Sequence, residues 1–560
     1  MAEEESLYTV ELDFENQSPW VRPNRTWEKL HIEGVPKTVK YPEIPLHYIG
    51  REAARRCPNN CAIYFVPEER KYTYRELMYF SDKIAAGLAD IGVEKSDGVG
   101  IYMTNSPEFV FSVYGISQTG AITVPINPML KQHDIEHIVN DSGIIDTLIC
   151  SSILYPNIEK VREEVEIENV IVYGEKKPDT TSLQELMEKY PAKPPEVKIN
   201  PKEDLSVLLY TGGTTGLPKG VMLTHYNIVS NVYQMVALEG AQYENIDQDL
   251  GIGTCITVLP MCHSFGFSQV QLYISRAFMM VLYSGFDPES VMKNIEMYRI
   301  ENFVGIPLMF QVLINHPNFE RYDLSSLRLV ISGAAPLAQD LVRRWKNVVG
   351  GDVGQGYGLS ETSPTTHMKP TWLPQEGESI GIPMVDTDVK IVDVDTGEKL
   401  PPGEVGELMI RGPQVMKGYW KNPDKTEETI EDGWLHTGDL AYMDEKGYFY
   451  ISGRQKDIIK YKGYKVLPDE VEDKLYDHPA ILECAVIGVP DPEIGETIKA
   501  FVVIREDYKR KITEQEIINW AKNELAGYKY PRIVEFIDKV PRTAIGKVLR
   551  RALREQEGKS

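Results

Sequence analysis

Hydrophobic positions along this chain switch repeatedly between the spacing of a helix and that of a strand. The stretch to about residue 45 is irregular, rich in Pro, Trp and charge, and is expected to wrap the surface of the first domain. The alternation begins at Thr73. Tyr74–Ile91 has apolar residues at helical spacing and stops at Gly92; Gly98–Met103 reads as a short strand. Pro107–Thr119 reads as a helix ended by Gly120, and Ala121–Ile126 as a strand closed by Pro128. The pattern recurs at Asn302–Ile314, and at Leu327–Ile331 followed by Ser-Gly-Ala-Ala-Pro and a further helix.

Strands alternating with helices predict parallel sheets with helices packed on their faces. Ligands then bind in the loops beyond the carboxyl ends of the strands. From Thr387 the texture changes to short β segments broken by Gly and Pro, at Val389–Asp393, Gly406–Gly412 and Gly447–Gly453. From Lys456 onward the pattern is compact α+β with a basic end. The predicted fold class is therefore α/β. A large N-terminal domain, residues 1–455, combines helix-sandwiched parallel-type sheets with a β-rich part, and residues 456–560 form a small α+β domain.

Composition adds limits. A length of 560 residues exceeds one ordinary core. The apolar share of 42% and charged share of 26% suit a soluble globular protein. A net charge of −23 argues against general affinity for nucleic acid or anionic membrane, so any phosphate binding must be local. Cys57 and Cys61 make a lone C-x₃-C with no second pair, and the other cysteines are scattered, so ordinary thiols are expected rather than zinc ligands. The first residues are acidic without an apolar run, and no segment approaches the roughly 20 residues of a membrane span. The expectation is a reduced, cytoplasmic protein with no transmembrane segment.

The strongest chemistry lies in Tyr210-Thr-Gly-Gly-Thr-Thr-Gly-Leu-Pro-Lys-Gly-Val221, just after the apolar run Leu205–Leu209. A Gly-rich turn leaving a buried strand can aim backbone N–H groups, hydroxyls and an ammonium at a phosphate. A Walker A loop needs its lysine followed by Ser or Thr, whereas Lys219 lies between Pro218 and Gly220. An ATPase or kinase of the P-loop type is disfavoured on that ground.

Five further segments each have a plain reading when taken alone. Gly356-Tyr-Gly-Leu-Ser-Glu-Thr-Ser363 reads as a loop whose glycines admit a flat ligand, with Tyr357 for stacking and Glu361 for a hard cation; otherwise it is a turn with a solvated glutamate. His263 sits in an apolar neighbourhood, as core histidines do. Asp439, placed after a tight turn in Gly433–Leu440, either steadies that turn or accepts bonds from ribose hydroxyls. Arg454, Lys456, Lys460, Lys462 and Lys465 crowd the point where the texture changes, which suits an inter-domain joint, and Pro541–Arg551 carries Lys547 in a basic tail.

Together, and in this order, these segments resemble the adenylate-forming superfamily of acyl-CoA synthetases, luciferases and peptide adenylation domains. Thr73-Tyr-Arg-Glu-Leu77 and Thr119-Gly-Ala-Ile-Thr-Val-Pro-Ile-Asn-Pro128 extend the match over nearly the whole chain. The nearest resemblance is to fatty acyl-CoA and coumarate-type CoA ligases. It implies two steps: a carboxylate attacks the α-phosphate of Mg·ATP to give acyl-AMP and pyrophosphate, and the CoA thiol then displaces AMP.

The resemblance assigns roles residue by residue. Thr211, Gly213, Thr214, Thr215 and Lys219 would hold the outer phosphates of ATP; Ala334, Ala335, Gln355, Gly356 and Tyr357 would enclose adenine. Ser360 would contact the α-phosphate, Glu361 the Mg²⁺, and Asp439 with Arg454 the ribose. Lys547 would bridge the reacting carboxylate and α-phosphate. His263 would gate the carboxylate site. Lys456 would be the hinge of a mobile C-terminal domain that withdraws Lys547 and presents Lys460, Lys462 and Gly463 to coenzyme A.

Gly212 replaces the serine usual in the first motif, and Ser360 stands where many relatives have threonine. A non-catalytic nucleotide-binding protein is disfavoured because Glu361, Asp439, Arg454, Lys456 and Lys547 are all present. Phe265–Tyr273, Phe303–Phe310 and Ser332–Ala335, with Met279, Met280 and Met309, would wall an apolar acyl pocket. That suits a medium- or long-chain fatty acid, with an arylalkanoate or 4-coumarate-type acid as the alternative. The family also allows a homodimer.

Overall fold

The structure, a computed structural model, describes residues 25–211, 218–240, 250–375, 377–462, 464–491, 494–542 and 548–557, and no side chains for 239 and 240. By their contacts these residues form two compact units. The first runs to Asp388 and includes Arg411–Leu435; the second comprises Val389–Ile410 and the chain from His436 onward.

Two large sheets organise the first unit. Among the described residues one is nine-stranded, and the strands Gly354–Gly358, Leu329–Ser332, Asn302–Gly305, Thr254–Thr257, Met279–Leu282 and Cys61–Phe65 are parallel in that order. Antiparallel strands close both its edges. The other is eight-stranded among the described residues, with Leu205–Thr211, Ile122–Pro125, Gly98–Tyr102, Ile145–Ser151 and Asn169–Tyr173 in parallel array.

The helices expected between these strands are present. Tyr74–Asp90 starts at a capping box in which Thr73 and Glu76 exchange bonds. Pro107–Thr119 ends at Gly120, whose φ of 73° stops the helix in the left-handed region. That helix is buried along its whole length, so it lies in the core rather than on a face.

The N-terminal stretch does wrap, at Arg25 and beyond. Thr38 Oγ1, Val39 N and Tyr41 Oη all donate to Asp386 Oδ2, at 3.0, 2.9 and 2.8 Å. Arg25 donates to Asp388 at 3.1 and 2.6 Å, and Trp372 Nε1 donates to the Leu30 carbonyl.

The second unit holds the expected short strands at Asp388–Val392, Gly406–Arg411 and Phe449–Arg454, with Trp434–Met443 between the last two. Its α+β part is built on the antiparallel pair Ile481–Asp491 and Gly495–Ile504, flanked by the hairpin Ile459–Tyr461/Tyr464–Val466. Among the described residues no helix is long and apolar enough to cross a membrane.

Candidate active site

The first motif begins and ends on one β-hairpin. Leu205–Thr211 pairs antiparallel with Lys219–Thr224, and Thr211 faces Lys219 in register. The ends of the glycine-rich segment are therefore held together by ladder hydrogen bonds. The expected positions Gly213, Thr214 and Thr215 lie outside the described residues. The helix Gln132–Ser142 braces both ends: Tyr210 donates to Asp141 at 2.7 Å, and His137 Nε2 lies 3.0 Å from the Pro218 carbonyl.

Lys219 and Glu361 meet around a residue that sequence reasoning missed. Tyr419, on the short strand Gly418–Tyr419 beside Lys219–Thr224, donates to Glu361 Oε1 at 2.8 Å. Lys219 Nζ lies 5.6 Å from the centroid of the same ring, within cation–π range. Burial, reinforced by the Glu361 charge, raises the Tyr419 pKa and keeps the phenol protonated. Glu361 is half-buried on the turn Ser360–Thr362, and its carbonyl accepts the Met416 N–H at 2.8 Å. Mg²⁺ takes one or two carboxylates and completes its shell with substrate phosphates and water, and a carboxylate on a fixed turn meets that requirement. Among the described residues no group of three His, Cys, Asp or Glu could hold a metal alone.

The expected loop at Gly356 is in fact partly a strand. Gly354–Gly358 pairs parallel with Leu329–Ser332, setting Ser332 opposite Gln355, and antiparallel with Thr365–Met368. Gly-rich composition argues for a loop, but strands on both sides impose extension. A Cβ at Gly358 would fall 2.0 Å from the Pro364 carbonyl oxygen, which explains one glycine by close backbone approach. Tyr357 lies edge-on to His367 with centroids 5.8 Å apart.

Ala334 and Ala335 follow the neighbouring strand, and Ala334 adopts φ 68°. The expected adenine-binding residues thus occupy the carboxyl ends of adjacent parallel strands, where ligands bind in sheets of this kind. Ser360 Oγ and Ser264 Oγ lie 3.1 Å apart, which joins this turn to the helix Ser264–Ser275. His263 caps that helix, its Nδ1 accepting the Phe265 N–H at 3.4 Å. A Cβ at Gly333 would sit 2.8 Å from the Phe265 ring, so two of the expected acyl-wall segments touch. Phe303 and Phe310 instead pack in the core, Phe310 against Trp345. A cavity of about 10 Å³ between the helices Pro107–Thr119 and Ser264–Ser275, lined partly by Phe267 and Val270, has room for about one water.

In the second unit Asp439 lies within the strand Trp434–Met443, directly after Gly438, whose φ of 67° kinks the chain, and Thr437 Oγ1 accepts the Asp439 N–H at 3.1 Å. It pairs in register with Arg454, whose Nε is 2.8 Å from Asp439 Oδ1. Asp439 is buried at 4% exposure, and the guanidinium offsets the cost of burying its charge. The adjacent turn Gln455–Asp457 presents Lys456 exposed. Lys460 and Lys462 are exposed on the hairpin beyond it, and Lys462 takes φ 50° at its turn. Gly463 and Lys547 lie outside the described residues.

Residues 50–420 match the AMP-binding enzyme family, and residues 470–547 match the AMP-binding enzyme C-terminal domain. The chain belongs to the AMP-binding enzyme family. The long-chain-fatty-acid–CoA ligase of Bacillus subtilis (strain 168) is 37% identical to it over 97% of this chain and 99% of its own length. A feruloyl-CoA synthase of an Amycolatopsis species is 35% identical over 87% of this chain and 94% of its own length. The solved structure of ATP-bound MatB from Rhodopseudomonas palustris is 28% identical with a TM-score of 0.82, covering 92% of this chain and 99% of that one.

Proposed function

We propose that this chain is an AMP-forming long-chain fatty acid–CoA ligase. It joins a carboxylate to AMP at the expense of ATP, then transfers the acyl group to coenzyme A. The observation that carries the site is the Lys219–Tyr419–Glu361 line, which sets an ammonium and a carboxylate on two sides of one phenol. Such a pair suits a magnesium-bound polyphosphate: the ammonium for phosphate oxygens, the carboxylate for the metal.

A free carboxylate is a poor acyl donor because its leaving group would be oxide. In the first step its oxygen attacks the α-phosphorus and pyrophosphate departs. Thr211, Gly213, Thr214, Thr215 and Lys219 receive the pyrophosphate, while Ser360 steadies the α-phosphate. Glu361 would hold Mg²⁺, which supplies charge neutralisation across the phosphate oxygens. Ala334, Ala335, Gln355, Gly356 and Tyr357 take the adenine, and Asp439 with Arg454 takes the ribose. Lys547 offsets the charge that builds between carboxylate and α-phosphate, a contribution of several kcal/mol, roughly, in a water-poor site. In the second step the thiol attacks the acyl carbon and AMP leaves. Lys456 acts as the hinge between steps, and Lys460, Lys462 and Gly463 face coenzyme A.

The 35% identity to a feruloyl-CoA synthase favours an aryl acid as the second reading. One panel separates the two: saturated fatty acids and hydroxycinnamates, each with ATP, Mg²⁺ and coenzyme A, read by AMP and pyrophosphate release. Turnover of long-chain acids is expected. Turnover of aryl acids alone would replace the substrate assignment, and ADP with phosphate as products would overturn the reaction itself.

A further inference from the structure

The second unit contains a buried charge network to which the proposed reaction gives no task. Asp457 directly follows Lys456 and is 5% exposed. Its Oδ1 accepts from Arg554 Nη2 at 2.8 Å, and its Oδ2 lies 3.7 Å from Arg550 Nη1. Arg550 Nη2 reaches both Glu472 oxygens, at 2.7 and 2.8 Å, and also donates to Asp469. Glu472 and Asp469 share the helix Pro468–Tyr476, and Glu472 Oε1 accepts the Val486 N–H at 2.7 Å.

Both arginines stand one turn apart on the helix Arg550–Glu557. Leu553, between them, is buried against Ala485, Ile487 and Phe501. The chain leaves the described residues at Arg542 and returns at Val548, and these two pair as an antiparallel bridge, with Leu549 N donating to the Pro541 carbonyl at 2.8 Å. In sequence, Lys547 directly precedes Val548 and lies three residues before Arg550.

We propose that Arg550 and Arg554 are positioning residues: by gripping Asp457 they make the turn beside Lys456 and the helix after Lys547 one rigid piece. Rotation at Lys456 then carries Lys547 with the helix, because the Arg554–Asp457 bond is charge-assisted and directional and its carboxylate is buried. A plain helix staple would need only the Arg550–Glu472 contact. Arg554, which reaches past it to Asp457, makes the link to the hinge-side turn. The proposal rests on Lys456 as the hinge and Lys547 as the adenylation cation.

The test uses the full-length chain with hexadecanoate, and measures ATP–pyrophosphate exchange separately from thioester formation on supplied hexadecanoyl-AMP. Arg554→Gln is expected to lower the exchange kcat roughly 10–100-fold, as misplacement of a catalytic group by about 1 Å does. Its KM for ATP and its thioester step should stay within about twofold of the parent, since neither uses Lys547. Arg554→Lys should recover most of the exchange rate. Asp457→Glu, which keeps the charge on a longer arm, gives a second reading of the same link and should show the same split with a smaller loss. Equal loss in both half-reactions, or none in exchange, would overturn the proposal. Lys547→Ala separates the levels: if it spares exchange, the underlying reading falls too. If it abolishes exchange while Arg554→Gln does not, the positioning role alone is wrong.

Discussion

Tyr419 donates its phenol hydrogen to Glu361 Oε1 at 2.8 Å and keeps that proton, because burial and the carboxylate both disfavour the phenolate. The bond fixes the direction of one carboxylate oxygen on a turn whose backbone is itself tied to Met416. The same ring lies beside Lys219, so one side chain spaces the proposed metal ligand from the proposed phosphate cation.

Tyr419→Phe keeps the ring and removes the donor. The concentration of Mg²⁺ giving half-maximal pyrophosphate exchange should rise about ten- to a hundredfold, the worth of one hydrogen bond to a charged group. The KM for the carboxylate should not move. A magnesium titration checks this, and an unchanged midpoint would remove Tyr419 from the site.

Asp439 is nearly inaccessible and ion-paired with Arg454. Asp439→Asn keeps the shape but loses the charge, and should raise the KM for ATP by about one to two orders of magnitude. Arg454→Lys keeps a cation without the planar fork and should do less. Steady-state pyrophosphate exchange at varied ATP concentration measures both. A larger loss from Arg454→Lys than from Asp439→Asn would contradict the ribose assignment.

Much of this is legible in the residues. The helix Pro107–Thr119 and the strand from Leu205 are local events, set by Gly, Pro and apolar spacing, and sequence carries such signals. The role of Tyr419 is not legible. Its partner Glu361 is far away along the chain, and a Gly-Tyr pair has no local mark of a distant hydrogen bond. Gly354–Gly358 reads as loop for a related reason: strand pairing supplied from both sides overrides a composition that favours turns. The Asp457–Arg554 link is equally non-local, since either charge alone reads as a solvated side chain.

Lys456 is itself exposed, on a turn between two paired strands, so a change there should disturb motion more than folding. Lys456→Pro fixes φ at that residue. The thioester step should slow about tenfold or more, while pyrophosphate exchange falls less, as expected when a conformational step limits turnover. Stopped-flow measurement of the two half-reactions decides it, and equal slowing would remove the hinge from Lys456.

Three buried histidines make the fold acid-sensitive. Burial lowers His47 and His367 to about 3 and His225 to about 4, each from 6.5. A depressed histidine binds fewer protons folded than unfolded. Its stabilisation is therefore complete above 6.5 and is lost as pH falls below that value toward the folded pKa. Each contributes a slope of roughly 1.4 kcal/mol per pH unit below 6.5. Glu108, Asp386 and Glu472, raised by burial and the last of them to about 7, act in the opposite sense. Urea unfolding between pH 7.5 and 5 should show stability falling with acid. His225→Asn keeps an acceptor for the Leu46 N–H and should flatten the slope. An unchanged slope would mean His225 is not among the groups responsible.

Two glycines on one strand make opposite predictions. At Gly358 an added Cβ would lie 2.0 Å from the Pro364 oxygen and 2.7 Å from its carbonyl carbon, both backbone atoms that cannot step aside. Gly358→Ala should therefore cost about 1–3 kcal/mol or more and displace the Ser360–Glu361 turn, lowering both melting temperature and adenylation. At Gly356 the nearest atoms would be at 3.6 and 3.8 Å, ordinary contact distances. Gly356→Ala should leave the melting temperature within about 2 °C of the parent. If the strand end receives adenine, the same methyl group stands where the flat ring approaches, and the KM for ATP should rise about tenfold for the loss of close contact. Thermal melts and ATP titrations on the two variants give four numbers. A stable Gly356→Ala with unaltered ATP affinity would move adenine elsewhere, whereas an unstable one would mean the strand has less room than its distances indicate.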